Sequence, residues 1–189
     1  MEIRWCILED LEMKCRFCNT ELAQLVVDLG TSPLSNAFLE ETSLDKKEPF
    51  YPLRVYVCHE CFLVQLGDNV QPPKEIFSKY LYFSSYSTTW LKHAKDLASE
   101  IIKKFDCDQN TNVIEIASND GYLLQHFKDN NIPSLGIEPA TNVAEVAEKN
   151  GIRTINKFFG TDVANDLNKS GELADILLVI NVLPHVPDL

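Results

Sequence analysis

Residues 113–124 read Val113-Ile-Glu-Ile-Ala-Ser-Asn-Asp-Gly-Tyr-Leu-Leu124. A short β-branched run meets a polar turn, and apolar residues resume behind it. That is the pattern of a buried strand, a loop and the start of a helix. Gly121 in the loop lets the backbone approach a ligand closely. One glycine does not make the dinucleotide fingerprint G-x-G-x-x-G, which seats a pyrophosphate on a helix N-terminus. A nicotinamide-dependent enzyme is therefore disfavoured.

Outward from this loop the chain alternates strand and helix. Strands are expected at Val113–Ala117, Ser134–Glu138, Ile152–Ile155 and Ile176–Ile180, with helices at Tyr122–Lys128, Val143–Lys149 and about Asp162–Leu167. Asn150-Gly151 is a favourable helix stop. Such a series implies an α/β fold with a parallel sheet covered by helices. Ligands of such sheets bind at the carboxyl ends of the strands. Glu138 ends the second strand, where a carboxylate can accept hydrogen bonds from both hydroxyls of a ribose. The plain alternative is a solvated loop acid.

The acids Glu115 and Asp120, with Ser118 and Asn119 between them, suit a positively charged ligand. Adenosylmethionine is one, carrying sulfonium and amino groups and no phosphate. Asn181 and His185 follow the fourth strand at the same edge. Asn181 is placed to touch a cofactor. An imidazole titrates near neutrality, so His185 is either an acid–base group or a hydrogen-bonded loop residue.

Before the series, Trp90, Ala94, Leu97, Ile101 and Phe105 recur at helical spacing, giving an amphipathic helix from about Thr88 to Phe105. The segment ahead of it, Tyr80-Leu-Tyr82-Phe-Ser-Ser-Tyr86, is rich in hydroxyls and rings. It suits a sugar, and equally a helix entry capped by Ser87 or Thr88. Gln71-Pro72-Pro73 breaks the chain, and Pro73 suits the first turn of a helix through Tyr80.

Cys15-Arg-Phe-Cys18 and Cys58-His-Glu-Cys61 lie 39 residues apart. Two residues between cysteines let one tight turn aim both sulfurs at one ion, and two such turns complete a tetrahedral zinc site. A site closed by four thiolates leaves no position for water and is structural. His59 is a weaker ligand candidate. Cys6 and Cys107 have no partner at this spacing and read as plain thiols. In this module Leu53, Val55 and Val57 alternate as a half-buried strand, and Phe62–Leu66 forms a second.

The net charge is −11, shared as about −6 over residues 1–75 and about −5 over the rest. No basic face emerges, which argues against nucleic acid as a partner. No run of eighteen apolar residues is present, so no membrane span is expected, and the first twelve residues do not form a signal peptide. A cytoplasmic protein with reduced thiols is the simplest reading. Met13 looks like a natural start, with residues 1–12 an extension.

The CRFC and CHEC pairs, YLYFSSYS, EIASNDGYLL, GIEPATNVAEVA and NVLPHVPDL together resemble the sugar C-methyltransferase family with an N-terminal zinc-binding domain. The resemblance runs from Met13 to Leu189. It implies a zinc-binding domain at 13–72, a helical connector with a substrate and cofactor loop at 73–110, and the first half of a Rossmann-like class I methyltransferase sheet at 111–189. It implies S-adenosylmethionine held by the loop around Asn119–Gly121 and by Glu138, with structural zinc. The substrate is expected to be a nucleotide-linked keto-deoxysugar, usually a thymidine-diphosphate sugar. A base removes a proton beside the ketone and the enolate takes the methyl group. Tyr82 and His185 fall on active-site segments. Relatives continue with further strands and a C-terminal domain that supplies much of the sugar site. This chain alone is therefore expected to be inactive, and to self-associate or pair with a complementing C-terminal half. The competing class is a zinc-ribbon and nucleotide-fold module that acts through protein or nucleic-acid contacts.

Overall fold

A computed structural model describes residues 13–35, 38–67 and 76–186. The extension at 1–12, the break at Gln71-Pro72-Pro73 and the role of Pro73 lie outside these residues. Residues 13–67 form one unit and residues 76–185 a second.

The first unit holds a three-stranded antiparallel sheet. Its strands are β1 (Gln24–Ser32), β2 (Tyr51–Val57) and β3 (Val64–Leu66), in the order β1-β2-β3. The sequence pattern led to β2 and to β3, shortened by two residues, but not to β1. The core is small: Cys15, Leu22, Tyr56 and Cys58 are buried, with Met13, Cys61 and Leu63 against them. Two of those four buried residues are cysteines, so side-chain packing alone is thin support for this unit.

The second unit contains α1 (Thr88–Lys104), β4 (Val113–Ile116), α2 (Leu124–Asp129), β5 (Ser134–Ile137), α3 (Thr141–Lys149), β6 (Thr154–Ile155), α4 (Thr161–Ser170) and β7 (Ile176–Val179). Ser87 caps α1, its hydroxyl accepting the Trp90 N–H at 3.2 Å. Lys103 and Lys104 occupy the last turn of α1, where the helix dipole favours cations. Of the helix expected through Tyr80, residues 78–80 are not helical.

The four strands are parallel and ordered β6-β5-β4-β7. The chain steps outward from β4 to β5 and β6, then returns to place β7 on the other side of β4. The gap between β4 and β7 is thus the switch point of a half Rossmann-type sheet, where ligands bind at the carboxyl ends. Asn112 fixes the opposite end: its N–H donates to Asp175 at 2.8 Å and its side-chain amide to the Leu173 carbonyl at 2.7 Å.

Both faces of the sheet are covered, which is why its strands are almost wholly apolar. Val113 packs with Ala94 and Ala98 of α1 and with Leu124 and Phe127 of α2. Ile114 packs on the other face with Leu135, Ile137, Val163 and Leu167. The alanines let α1 lie close, so the helix of the expected connector shares one core with the sheet. Phe127 is fully buried, a burial of about 1.5–3 kcal/mol. Among the described residues no helix is long and apolar enough to cross a membrane.

Candidate metal centre and ligand-binding edge

The two cysteine turns are built alike. Cys15 accepts from the Asn19 N–H and donates its own N–H to the Thr20 carbonyl; Cys58 does the same with Phe62 and Leu63. Asn19 and Phe62, each following the second cysteine of its pair, have φ of 61° and 60°. A bulky residue rarely takes this conformation. Its recurrence at matched positions shows that both turns share one backbone geometry.

These turns bring the four sulfurs within 4.8 Å of one another. Cys15 and Cys61 are 3.6 Å apart, and Cys18 and Cys58 3.5 Å. Tetrahedral zinc with bonds of about 2.3 Å requires sulfurs about 3.8 Å apart, so the cluster fits the ion. Gln65 donates to Cys15 Sγ at 3.2 Å and accepts the Arg16 N–H at 3.0 Å. Cys18 Sγ lies 3.3 Å from the Thr20 hydroxyl. Burial raises the Cys15 thiol, but hydrogen bonds from the backbone of Cys18 and Phe17 and from Gln65 outweigh it and bring the group down to about 6. His59 is beside Glu60 at 3.6 Å and outside the cluster.

Gln65 was not foreseen. It is buried while its neighbours Val64 and Leu66 are exposed, so polar and apolar positions on β3 are inverted. The inversion is explained by the sulfur that Gln65 supports.

At the carboxyl end of the parallel sheet, the loop after β4 runs through three residues of positive φ: Ala117 at 55°, Asn119 at 51° and Gly121 at 79°. Ala117 therefore ends β4 one residue earlier than expected. The space that a side chain at Gly121 would fill is taken by Ile152, 2.7 Å from an ideal Cβ. The glycine is thus explained by packing within the chain, a different reason from the ligand approach read in the sequence. Ser118 is likewise folded inward, its Oγ lying 2.3 Å from where a Cβ on Gly136 would sit.

Glu138 is buried just beyond β5. Its Oε2 accepts the Asn119 N–H at 2.9 Å and its Oε1 the Ala140 N–H at 2.8 Å. A carboxylate offers about four acceptor positions, so these bonds fix the group and leave about two free. Burial raises Glu138, partly offset by those two backbone donors. Glu115 on β4 is 1% exposed and is raised well above the ordinary carboxylate range, by burial first and then by Glu138 and Asp120.

Asn119 and Asp120 spend their side chains on the preceding segment. Asn119 accepts the Ser84 N–H at 2.8 Å and donates to the Tyr82 carbonyl at 3.1 Å, while Asp120 Oδ2 accepts the Ser85 N–H at 3.1 Å. Farther along, Asn142 pairs with the backbone of Tyr80 in both directions, at 3.0 and 2.6 Å. Residues 80–85 are therefore strapped across the ends of β4 and β5. These side chains organise the edge, while Asp120 Oδ1 is left buried without a partner.

Tyr82 is half exposed on this strap. Its ring is 6.3 Å from Tyr80, Tyr80 is 5.6 Å from Phe77, and Phe77 is 5.3 Å from His185. A row of rings thus links Tyr82 to the exposed His185 beyond β7. Asn181, with φ of 54°, turns the chain out of β7 and is exposed. A cleft of about 320 Å³ lies elsewhere, between β6 and α4, lined by Arg153, Lys157, Asp166 and Glu172 among others. Those charges pair as Arg153–Glu172 and Lys157–Asp166, so the cleft offers no comparable set of convergent acceptors.

Residues 15–77 match the Methyltransf_13 family, described as "Putative zinc binding domain". Over 176 residues the chain is 28% identical to the C-methyltransferase NovU of Streptomyces niveus, covering 93% of this chain. The chain is thus similar to a C-methyltransferase over most of its own length, and its N-terminal part to a zinc-binding domain. It spans 42% of the length of that relative. The zinc-binding description of this family and the four-sulfur cluster agree on one metal-binding module. Solved structures with partial likeness include the plantazolicin methyltransferase BpumL in complex with SAH, at 17% identity and TM-score 0.33, over 46% of this chain and 33% of that one. Another is a SAM dependent methyltransferase from Archaeoglobus fulgidus, at 16% identity and TM-score 0.28, over 40% and 33%.

Proposed function

We propose that the parallel-sheet unit binds S-adenosylmethionine at the carboxyl ends of β4 and β5, as part of a carbon methyltransferase. The observation that carries this reading is Glu138: a buried carboxylate at the end of the second strand, fixed by two backbone donors, with acceptor positions left for a ribose diol. Asp120 lies close enough to act on Glu138, and the charges acting on Glu115 are the carboxylates Glu138 and Asp120. Such a donor set suits a cation and repels a pyrophosphate. The buried Glu115 Oε2, Ser118 Oγ and Asp120 Oδ1 lack partners within the chain, which leaves acceptors for a polar ligand.

When bound, S-adenosylmethionine supplies an electrophilic methyl group. The acceptor on this reading is a carbon beside the ketone of a nucleotide-linked deoxysugar. Tyr82 and His185 bound the acceptor side, with His185 the candidate to move a proton and Tyr82 to hold a sugar oxygen. The chain spans 42% of the length of the C-methyltransferase it resembles, and the reading offered for these 189 residues is cofactor binding. Cys15, Cys18, Cys58 and Cys61 hold zinc in a closed structural site, with Gln65 fixing Cys15.

Equilibrium dialysis with radiolabelled S-adenosylmethionine tests the reading. Saturable binding displaced by S-adenosylhomocysteine and not by NADH is expected. Preferential binding of NADH overturns it.

A further inference from the structure

Glu115 is not needed to complete the fold's hydrogen bonding, and this sets it apart from Glu138. It stands in register between Gly136 on β5 and Leu178 on β7, at the centre of the sheet. Its Oε2 is buried without a partner. Ser118 Oγ, at 0% exposure, and Asp120 Oδ1, on a residue 3% exposed, are also buried and unpartnered on the loop that follows. The groups that act on or beside Glu115 are Glu138 just beyond β5, and Asp120 and the Tyr122 hydroxyl from its own loop. From α1 come Trp90, 6.0 Å from Tyr122, and His93 beside Trp90. No lysine or arginine is among the charges acting on it.

An uncompensated carboxylate in such surroundings is costly, and burial with like charges keeps the proton on. A fixed positive charge arriving at the edge reverses that balance. S-adenosylmethionine carries one more positive charge than its demethylated product, since methyl transfer converts the sulfonium to a neutral thioether.

Resting on the cofactor reading above, we propose that binding of the sulfonium donor releases a proton from Glu115 to solvent, and that the neutral product does not. The site then tells donor from product by charge as well as by shape. Loss of the methyl group lets Glu115 take its proton back, removing an attraction that the product cannot use.

The test is calorimetric titration of the 189-residue chain with each ligand at pH 7, in buffers of different ionisation enthalpy. The dependence of the observed heat on the buffer counts protons. The amino group common to both ligands cancels in the comparison. Release near one proton with S-adenosylmethionine and near zero with S-adenosylhomocysteine is expected. Glu115→Gln should bind the donor without that release, and Glu138→Gln should weaken both ligands while keeping it. Donor binding with no excess release over product overturns the proposal while leaving the cofactor reading intact. So does release that persists in Glu115→Gln. Absence of any binding removes both. Should Glu115→Gln fail to fold, the wild-type difference between the two ligands still decides.

Discussion

Glu138 Oε2 accepts the backbone N–H of Asn119 at 2.9 Å. This bond joins the ends of two parallel strands and places the loop after β4 relative to the acid after β5. Asn119 then passes the order on, holding the backbone of Tyr82 and Ser84 with its side chain. The edge is one hydrogen-bonded unit from Glu138 to the strap.

Removing the Asn119 side chain should therefore free the strap. Asn119→Gly keeps the positive φ accessible and leaves the buried Ser84 N–H without its acceptor, at a cost of about 1–3 kcal/mol. Hydrogen exchange should show faster exchange at residues 82–86 and little change in β6 and α4. Unchanged protection of Ser84 would show that the strap is held by something else.

The metal site should depend on pH in a definite direction. Thiolates bind zinc and thiols do not, so affinity falls as protons compete for the sulfurs. Zinc released to a chromophoric chelator should rise as pH falls. Elemental analysis should give about one zinc per chain, lost in Cys58→Ser and retained in Cys107→Ser. Equal zinc in wild type and Cys58→Ser would remove the cluster as the site.

Much of the sheet unit was legible because its apolar residues have only one way to be buried. The spacing from Trp90 to Phe105 marked α1, and the short apolar runs marked four strands to within two residues or so. Strand β1 was missed because Leu25, Val26, Val27 and Leu29 are all exposed, so Gln24–Ser32 carries no one-sided pattern. The site was half legible. Glu138 follows from its place at a strand end, and the cysteines from their spacing. The partners of Asn119 and Asp120 lie 35 residues away, and the neighbour of Gly121 is Ile152, contacts that only the folded chain creates. Gln65 had no signal, since a polar residue between Val64 and Leu66 reads as the exposed position.

Stability should respond to Glu115. Its proton affinity is raised on folding, so above the ordinary carboxylate range the native state binds more protons than the unfolded chain. Stability then falls as pH rises through that interval. Glu115→Gln, neutral at every pH, should flatten this part of the profile in denaturant titrations from pH 5 upward. A variant whose stability falls as steeply as wild type would mean that another group carries the dependence.

The most direct measurement of the central claim is calorimetric titration of S-adenosylmethionine into wild type and Glu138→Ala side by side. Loss of charged hydrogen bonds should weaken binding by about 1–3 kcal/mol, or roughly fivefold to 150-fold, with the zinc content unchanged. Equal affinity in the two proteins would contradict the account, because the acid that organises this edge would then have no part in holding the cofactor.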